Sequence, residues 1–358
     1  MEAAYGPTGF GHFSTIGQQV PVTIREVAKR LNLSVTTVSR ALTGYSDVAD
    51  ATRQRVIDVA REMEYVPSRA ARQLRRQRME TIGLVFPTIG ARFSDPFFSE
   101  FIAGVGDEAS RKDYDLLVSV ASPGEAEEAT YERLVNSRRV DGFVLVRMRL
   151  QDWRIVYLSS EGIPFVSFGR SMMDKNAPHV GVDGRAGVRE LVSHLVSQGH
   201  RRIAFIAAPE GLTLARDRLD GYGDGLSDAG ITFDPELVIK GSLTRSAGYE
   251  AAKELLKRVP PPSAIIGAND LSALGAMRAV QERGMAIGRE LAIAGFDGIE
   301  ASEHSLPALT TVHQPVYDIG RRVCSMLISI IEGEECPETE ILIKPTLVIR
   351  QSTLNGKE

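Results

Sequence analysis

The sequence predicts a small all-α domain followed by a larger α/β body with two doubly wound parallel sheets. Residues 22–63 carry apolar side chains at the three- and four-residue spacing of amphipathic helices. From Thr81 onward, short apolar runs alternate with amphipathic helical segments, a pattern typical of a parallel sheet covered on both faces. At 358 residues the chain is too long for one compact core, and these units are too many for one sheet of ordinary width. We therefore expect one small domain and one large, two-lobed domain.

A capping box opens the first helix of the small domain. Thr23 can accept the Glu26 backbone N–H, while the Glu26 side chain reaches back to Thr23. One buried helix face follows at the i, i+3, i+4, i+7 spacing, formed by Ile24, Val27, Ala28 and Leu31. Asn32 and Leu33 end this first helix.

A second helix, over residues 35–42, begins at Ser34, which is a good N-cap residue. The face that can pack on the first helix consists of Val38, Ala41 and Leu42. The outer face carries Val35, Thr36, Ser39 and Arg40. Two short helices joined by a tight turn, with small, polar and basic side chains on the outer face, are typical of a helix-turn-helix reader of DNA. An ordinary helical hairpin on a globular surface has the same pattern, so the helix pair alone leaves both interpretations open.

A third amphipathic segment and a strongly basic stretch follow. The segment spans residues 50–63, and Pro67 prevents its simple continuation. Residues 68–78 then contain five arginines, no acid and one large apolar residue, Leu74. So short a helix is not stable alone in water, because the unfavourable free energy of nucleation exceeds the favourable free energy of two helical turns. We expect this stretch to be frayed alone and ordered against polyphosphate.

The charge of the chain is unevenly distributed along its length. Residues 20–78 contain 12 Lys and Arg against 6 Asp and Glu, a net charge of +6. From Met79 onward the numbers are 30 and 39, a net charge of −9. A basic headpiece on an acidic body binds DNA with one end and is repelled from it by the other.

The cysteine content and the N-terminus bear on the compartment. Only Cys324 and Cys336 occur, so we expect no disulfide framework and a cytoplasmic protein. Residues 1–19 contain four Gly, no Lys or Arg and no long apolar run. We interpret them as a disordered extension rather than a signal peptide or membrane anchor, and we expect no membrane partner.

Four separate stretches of the first 83 residues carry a specific resemblance. They are Val-Thr-Ile-x-x-Val-Ala (22–28), Leu-Ser-x-x-Thr-Val-Ser-Arg-Ala-Leu (33–42), Thr-Arg-x-x-Val (52–56) and Tyr-Val-Pro-Ser-Arg-Ala-Ala-Arg-Gln-Leu (65–74). Together they resemble the DNA-binding headpiece and hinge of the LacI/GalR family of bacterial transcription regulators. The resemblance implies a repressor that binds a palindromic operator in double-stranded DNA as a homodimer. It also implies a periplasmic-binding-protein-like effector core for the rest of the chain.

The implied domain layout is a disordered extension over 1–19, a helix-turn-helix domain over 20–66, a hinge helix over 67–78 and a core over 79–358. The core divides into an N-lobe (about 79–180 and 312–335) and a C-lobe (about 181–311 and 336–358). We expect chain crossings between the lobes near 180–182, 311–314 and 335–339, with a helix over 316–331 in the N-lobe and a final strand around 341–349. No leucine heptads follow that strand, so the resemblance implies a dimer rather than a tail-built tetramer.

Within the core, the alternation of patterns predicts each element in turn. The predicted strands are 82–86, 116–120, 143–146, 165–168, 203–207, 237–239, 264–266 and 291–294. The predicted helices lie near 98–111, 126–136, 186–198, 216–229, 248–257 and 271–283.

Ligands of such sheets bind at the carboxyl ends of the strands, here in the cleft between the lobes. The residues selected on this basis are Asp95, Phe97, Asp183, Arg218, Leu243, Asn269, Asp297 and Gln314. An aspartate at a strand end can equally be the N-cap of the next helix, an interpretation that stays open for Asp95 and Asp183 and is favoured for Asp270. The resemblance implies effector contacts for Asp183, Arg218, Asn269, Asp297 and Gln314.

Carboxylates, a planar guanidinium and amides in one cleft suit bidentate hydrogen bonding to vicinal hydroxyls, so we expect a sugar or sugar derivative as effector. Two departures from the family pattern matter here. Leu243 stands where many relatives have an aromatic residue that stacks on the ligand. Asp95 stands where Asn is usual, which favours a different polyol face or a more basic ligand. A nucleobase or a corepressor protein as effector stays open.

On DNA, the family resemblance places the second helix in the major groove. Arg40 is the candidate for a bidentate contact to guanine, Thr36 for a hydrogen bond and Val35 for apolar contact with a thymine methyl. The candidates for positioning on phosphate are Thr23, Ser34, Thr37, Ser39 and Arg53. Plain helix packing is an equal interpretation for Thr37 and Ser39. In the hinge, beside Arg69, the resemblance makes Leu74 a wedge between base steps in the minor groove, with Ala70 and Ala71 small enough for close approach.

Other functional classes find no support in the sequence. An enzyme would need a nucleophile–base pair or a cofactor loop, and we find neither, so we expect no cofactor. The glycines of Gly104-Val105-Gly106 lie in mid-helix rather than in a dinucleotide fingerprint, and the histidines show no metal-ligand spacing. A solute receptor would share the two-lobed body but would carry an export signal and no headpiece.

Overall fold

The computed structural model describes residues 22–65, 78–87, 95–174 and 176–354. Internal contacts divide the chain into one unit that ends at Gln77 and a second that begins at Arg78. The predicted extension, and the hinge candidates Arg69, Ala71 and Leu74, lie outside the described residues. None of the helices in the described ranges is long and apolar enough to cross a bilayer.

The first unit contains the three predicted helices, α1 (Ile24–Leu31), α2 (Val35–Leu42) and α3 (Asp50–Glu62). They enclose one apolar core built from the faces that the periodicity selected, with Val27, Ala28, Val38, Ala41, Val56 and Ala60 buried. Ser34 caps α2 as predicted, because its hydroxyl accepts the Thr37 N–H at 3.0 Å. The short helices are therefore held by packing and capping rather than by their own propensity.

The second unit has two six-stranded sheets, which we call the N-lobe and C-lobe sheets. In chain order its elements are β1 (Thr81–Pro87), α4 (Pro96–Arg111), β2 (Asp115–Ala121), α5 (Glu125–Asn136), β3 (Gly142–Leu145), α6 (Trp153–Ser160), β4 (Phe165–Phe168), β5 (His179–Val182), α7 (Gly184–Ser197), β6 (Ile203–Ala207), α8 (Thr213–Asp228), β7 (Val238–Lys240), α9 (Arg245–Leu255), β8 (Ala264–Gly267), α10 (Asp270–Gln281), β9 (Ala292–Asp297), α11 (Glu300–Glu303), β10 (Thr310–His313), α12 (Val316–Glu332), β11 (Glu340–Ile343) and β12 (Thr346–Val348). The fold class is that predicted from the sequence.

The strand order of the N-lobe sheet is β11-β5-β4-β3-β1-β2, and all its pairings are parallel. The order of the C-lobe sheet is β12-β10-β9-β8-β6-β7, parallel except for the edge strand β12. Each sheet has an apolar cluster on both faces. This burial explains the continuous apolar runs, since parallel strands are covered by helices on both sides.

The end of the chain differs from the prediction of one final strand over 341–349. β11 pairs with β5 in the N-lobe sheet, whereas β12 pairs antiparallel with β10 in the C-lobe sheet. Lys344 and Pro345 separate the two strands, and Pro345 has no N–H to continue a strand ladder. The third crossing therefore lies at these two residues rather than at 335–339, and β11 belongs to the N-lobe rather than to the C-lobe segment 336–358.

After β10 the chain returns to the N-lobe through α12, which packs against α4. A Cβ on Gly104 would lie 2.1 Å from the Tyr317 carbonyl oxygen, so only glycine permits this approach of the two helices. Gly104, which the sequence placed in mid-helix rather than in a dinucleotide fingerprint, thus has a packing role.

Candidate functional site

The outer face of α2 presents the residues predicted to read DNA. Val35 and Thr36 are exposed, and Val35 keeps 41% of its surface accessible. Arg40 is intermediate in exposure, makes an ion pair with Asp47 and lies over the Tyr45 ring, with 5.0 Å from Cζ to the ring centroid. The Arg40 guanidinium thus contacts an acidic group and an aromatic ring at the helix surface.

The residues predicted to position phosphate have different surroundings. The Glu26 carboxylate accepts both the Thr23 N–H, at 2.6 Å, and the Thr23 hydroxyl, at 2.9 Å. The Ser34 and Thr37 hydroxyls lie 2.8 Å apart at the N-terminus of α2. Thr37 and Ser39 are both partly buried.

Arg53 makes its contacts within the loop between α2 and α3. It donates to the Tyr45 and Val48 carbonyls at 2.8 and 3.2 Å and pairs with Asp50 at 2.8 Å. Through these bonds Arg53 stabilises the conformation of the loop. Its predicted role on phosphate stays a prediction.

In the second unit, a cleft of about 470 Å³ lies between the two lobes at the carboxyl ends of the strands. All eight residues that the sequence selected for an effector line it: Asp95, Phe97, Asp183, Arg218, Leu243, Asn269, Asp297 and Gln314. The volume falls within the usual range for small-molecule sites.

The C-lobe wall of the cleft is organised around a buried ion pair between Arg218 and Asp297. The Arg218 Nη2 lies 3.3 Å from Asp297 Oδ1, and Nη1 donates to the Ala268 carbonyl. Gln314 Nε2 donates to the same Asp297 oxygen at 2.7 Å. Burial lowers the pKa of Arg218, and the Asp297 charge opposes this shift.

Asp297 itself is the last residue of β9 and has φ of +117°, a conformation that L-residues rarely adopt. Burial raises the pKa of Asp297 to about 7, although Arg218 and the Gln314 amide act in the opposite direction. A carboxyl group that ionises near neutrality and projects from a strained strand end is typical of functional sites.

Two of the predicted site residues also cap helices. The Asp183 carboxylate accepts the Ala186 N–H at 2.9 Å at the start of α7, and the Asn269 side chain accepts the Ser272 N–H at 3.0 Å at the start of α10. The Asn269 amide also donates to the Leu243 carbonyl at 3.3 Å. Capping and lining the cleft therefore coexist.

Asp270 does not cap a helix, contrary to the favoured interpretation. Asn269 takes that position, and Asp270 instead accepts the Gly298 and Ile299 N–H groups at 2.8 and 2.9 Å and the Thr311 hydroxyl at 2.6 Å. Burial raises the pKa of Asp270 to about 8, and these three donors oppose the shift. Asp270 thus ties the turn after β9 to the start of α10.

The N-lobe wall contains charged residues that the sequence reasoning missed, and Arg147 is the one that faces Asp95. Arg147 lines the cleft, keeps 14% of its side chain exposed, and places Nη2 3.9 Å from Asp95 Oδ2. Asp95 also accepts the Phe97 N–H at 3.1 Å as the N-cap of α4, and burial raises its pKa. The signal for Arg147 was available, because it stands two residues after β3 at the same carboxyl edge as the other candidates.

Metal chemistry has no support in the described part of the chain, where no group of three or more His, Cys, Asp or Glu side chains could hold an ion. His200, in the turn before β6, forms a 3.2 Å contact between Nδ1 and the Ser263 hydroxyl. This contact joins the turn before β6 to the residue that directly precedes β8.

Two family descriptions match the chain. "Bacterial regulatory proteins, lacI family" matches residues 23–68, and "Periplasmic binding protein-like domain" matches residues 192–353. The HTH-type transcriptional regulator AglR of Rhizobium meliloti is 37% identical over 93% of this chain and 95% of its own length. The HTH-type transcriptional repressor CytR of Escherichia coli is 34% identical over 94% of this chain and 97% of its own length.

Solved structures are similar over most of the chain. A complex of the transcriptional regulator CelR with cellobiose has a TM-score of 0.73 and 30% identity, and covers 92% of this chain and 99% of its own. The lac repressor dimer bound to operator and the anti-inducer ONPF has a TM-score of 0.80 and 28% identity, and covers 93% of this chain and 99% of its own.

Proposed function

The chain belongs to the LacI family of bacterial regulatory proteins, and from this premise we propose that it is a repressor that binds a palindromic operator as a homodimer under the control of a sugar or sugar derivative. In this proposal the headpiece reads the operator in the cytoplasm. The effector binds in the cleft of the second unit, and the chain has no catalytic role.

On the DNA side, the proposal assigns the major groove to α2. Val35, Thr36 and Arg40 provide an apolar contact, a hydrogen bond and a bidentate donor, which suffice to read neighbouring base edges. The Ser34 cap leaves N–H groups at the helix N-terminus for a phosphate. The hinge candidate Leu74 completes the site at the centre of the operator as a minor-groove wedge.

One observation carries the effector half of the proposal. Eight residues chosen from the sequence, spread between positions 95 and 314, line a single cleft. They combine an ion pair, two amides, two further carboxylates and two apolar side chains, which match the hydroxyls and the apolar face of a sugar ring. A relative of known structure is a complex with cellobiose, which supports a carbohydrate as the ligand class.

Regulation in this proposal is a shift between two lobe arrangements. A ligand that touches both walls favours the arrangement in which both walls reach it. The coupling free energy between ligand and operator equals the difference in the ligand's binding free energy between the two arrangements, typically about 1–3 kcal/mol. We propose that the sugar releases the operator.

The proposal can be tested with the full-length chain. An operator is selected from a pool of duplexes with randomised half-sites, and its affinity is measured by fluorescence anisotropy at two salt concentrations. A panel of neutral disaccharides, uronic acids and nucleosides is then screened for thermal stabilisation and for release of the operator. No selected palindrome at low salt, or a strictly monomeric chain in sedimentation, would contradict the DNA half, whereas a selected operator that no panel member releases would contradict the effector half.

A further inference from the structure

The guanidinium of Arg147 is poorly satisfied where it lines the cleft. Its Nε is buried and has no hydrogen-bond partner within the described residues. Its ion-pair contact with Asp95, at 3.9 Å, is too long for a hydrogen bond. The ring of Phe98 covers one face of the guanidinium, with 4.8 Å from Cζ to the ring centroid. A buried Nε–H without an acceptor is costly for the unliganded protein, and an oxygen-rich ligand would remove that cost.

The backbone holds Arg147 in this position from behind. Its φ is +51°, in the left-handed region, and buried Arg154 donates to the Val146 and Arg147 carbonyls at 3.1 and 3.4 Å. Arg154 is itself fixed by Asp152, with donor–acceptor distances of 2.7 and 2.6 Å. Both side chains of this pair are fully buried. The Asp152–Arg154 ion pair, through the two backbone carbonyls, thus supports the left-handed backbone conformation of Arg147.

The same loop is joined to the opposite lobe. Leu150 N–H donates to the Gly211 carbonyl at 2.8 Å, and Thr213 N–H donates to the Met148 carbonyl at 2.9 Å. Thr213 is the first residue of α8, the helix that carries Arg218. The two cleft arginines therefore extend from segments that are hydrogen-bonded to each other across the lobes.

The opposite charges of Arg147 and Asp95, side by side in the cleft, favour a neutral ligand. Among the described residues that line it, the acids are Asp95, Asp183, Asp217, Asp297 and Glu340, and the arginines are Arg147, Arg170, Arg185 and Arg218. Arg185 makes a bidentate ion pair with Asp224, at 2.6 and 3.0 Å, and is therefore committed elsewhere. An acidic ligand would add a further negative charge beside Asp95, whereas adjacent hydroxyls can accept from Arg147 and donate to Asp95.

We propose that Arg147 and Asp95 form the N-lobe half of the effector site and select a neutral, polyhydroxylated ligand, with adjacent hydroxyls placed between them, over an acidic sugar. This inference rests on the proposed control by a ligand in the cleft. It adds a specificity-determining residue and the charge class of the ligand. Arg154 acts as a positioning residue, through the backbone of Arg147.

The first test compares stability without ligand. Arg147→Gln should change the thermal midpoint of the full chain by less than about 2 °C, because the group it removes is poorly satisfied. Arg154→Gln is the matched control, and should lower the midpoint by several times as much because it breaks a fully buried ion pair. A loss for Arg147→Gln as large as that for Arg154→Gln would make Arg147 a structural residue and overturn the inference.

The second test compares ligands, with cellobiose, maltose and glucuronate as the probes. We expect a neutral disaccharide to stabilise the wild-type chain, its affinity for Arg147→Gln to fall at least about tenfold, and glucuronate to have little effect. Asp95→Asn preserves the N-cap and removes the negative charge, so it should improve binding of glucuronate relative to the neutral sugar.

The outcomes separate the two proposals. Equal affinity of a neutral sugar for wild type and Arg147→Gln, or tighter wild-type binding of glucuronate than of the disaccharides, would overturn the inference and leave control by a cleft ligand intact. If none of the three sugars stabilises the wild type, and no other neutral disaccharide of the panel does, the proposed sugar control fails. The thermal midpoints without ligand then decide whether Arg147 is a functional or a structural residue. A small change for Arg147→Gln beside a large change for Arg154→Gln supports a functional role.

Discussion

The Arg218 guanidinium lies over the Phe296 ring, with Cζ 3.8 Å from the ring centroid. The same group contacts Asp297, so its plane and its edge are both used. Lysine has no planar guanidinium that could stack on a ring and donate hydrogen bonds along its edge at the same time. The geometry at this wall of the cleft thus depends on arginine specifically.

Arg218→Lys should therefore weaken effector binding by about 1–3 kcal/mol while the chain still binds its operator. The measurement is the sugar concentration that releases half of the operator. Arg216→Lys, on the exposed side of the same helix, is the control and should respond as the wild type does. If Arg218→Lys needs no more sugar than the control, the pocket lies elsewhere. Above pH 7, where Asp297 is ionised, Arg218→Ala should in addition lower the free energy of unfolding by about 3–5 kcal/mol, since it leaves the Asp297 carboxylate buried without its partner.

The raised pKa of Asp297, about 7, predicts a pH dependence of stability. The native carboxyl keeps its proton up to about pH 7, whereas the unfolded chain releases it near its ordinary pKa of about 4. Between these values the native carboxyl binds more protons than the unfolded one, so Asp297 should lower the free energy of unfolding as pH rises, by at most about 1.4 kcal/mol per pH unit, in addition to the contribution of Asp270. Asp297→Asn should flatten this part of the profile. Urea unfolding at several pH values between 5 and 8 measures this dependence. If the free energy of unfolding changes with pH equally in the wild type and in Asp297→Asn, the raised pKa is not that of Asp297.

Arg40→Ala should cost about 1–3 kcal/mol of operator affinity and relax the base preference at one position of each half-site. Binding to a set of single-base operator variants measures both effects. Arg30→Ala removes an exposed arginine of α1 that pairs with Glu62, and serves as the control for lost charge. A uniform loss over all sequences would instead identify Arg40 as a phosphate contact.

Arg53→Gln should loosen the loop between α2 and α3, because it removes the donors to the Tyr45 and Val48 carbonyls. Hydrogen exchange of the backbone amides in the headpiece of the full chain should accelerate, with the core unaffected. If exchange is unchanged and only the salt dependence of DNA binding falls, Arg53 acts on phosphate as the sequence alone predicted.

Leu74→Ala should weaken operator binding while the second unit keeps its thermal midpoint and its ligand affinity. The expected loss reflects a smaller wedge between base steps. DNA bending measured by fluorescence energy transfer should decrease in parallel. Unchanged affinity and bending would remove the wedge.

The sequence predicted the elements of the core well, because parallel strands that are buried on both faces leave unmistakable apolar runs. β6, for example, has the predicted bounds, Ile203–Ala207. α6 was not predicted, since eight residues with a charged first turn carry too little periodicity. The break between β11 and β12 was missed although Pro345 marks it, because the apolar pattern continues through it.

The candidate cleft could be predicted where one rule applies, namely that polar residues after strands converge at one edge. Arg147 satisfies that rule but stands beside Arg149 in a basic stretch, which resembles a solvated surface. Sequence gives no measure of the burial of Arg154, because a buried arginine depends on Asp152 and the surrounding backbone carbonyls. Its role in the loop therefore became visible only in three dimensions.

The short connection between β11 and β12 limits how the lobes can move. Two residues span only about 7 Å even when fully extended, and both flanking strands are hydrogen-bonded into different sheets. The connections from β5 to α7 and from β10 to α12 are equally short. The lobes consequently cannot translate apart without breaking a ladder, so a rearrangement that keeps the ladders must be a rotation about an axis near these three connections. Residues far from this pivot travel furthest, which turns a sub-ångström adjustment in the ligand cleft into a larger displacement at the distant ends of the lobes.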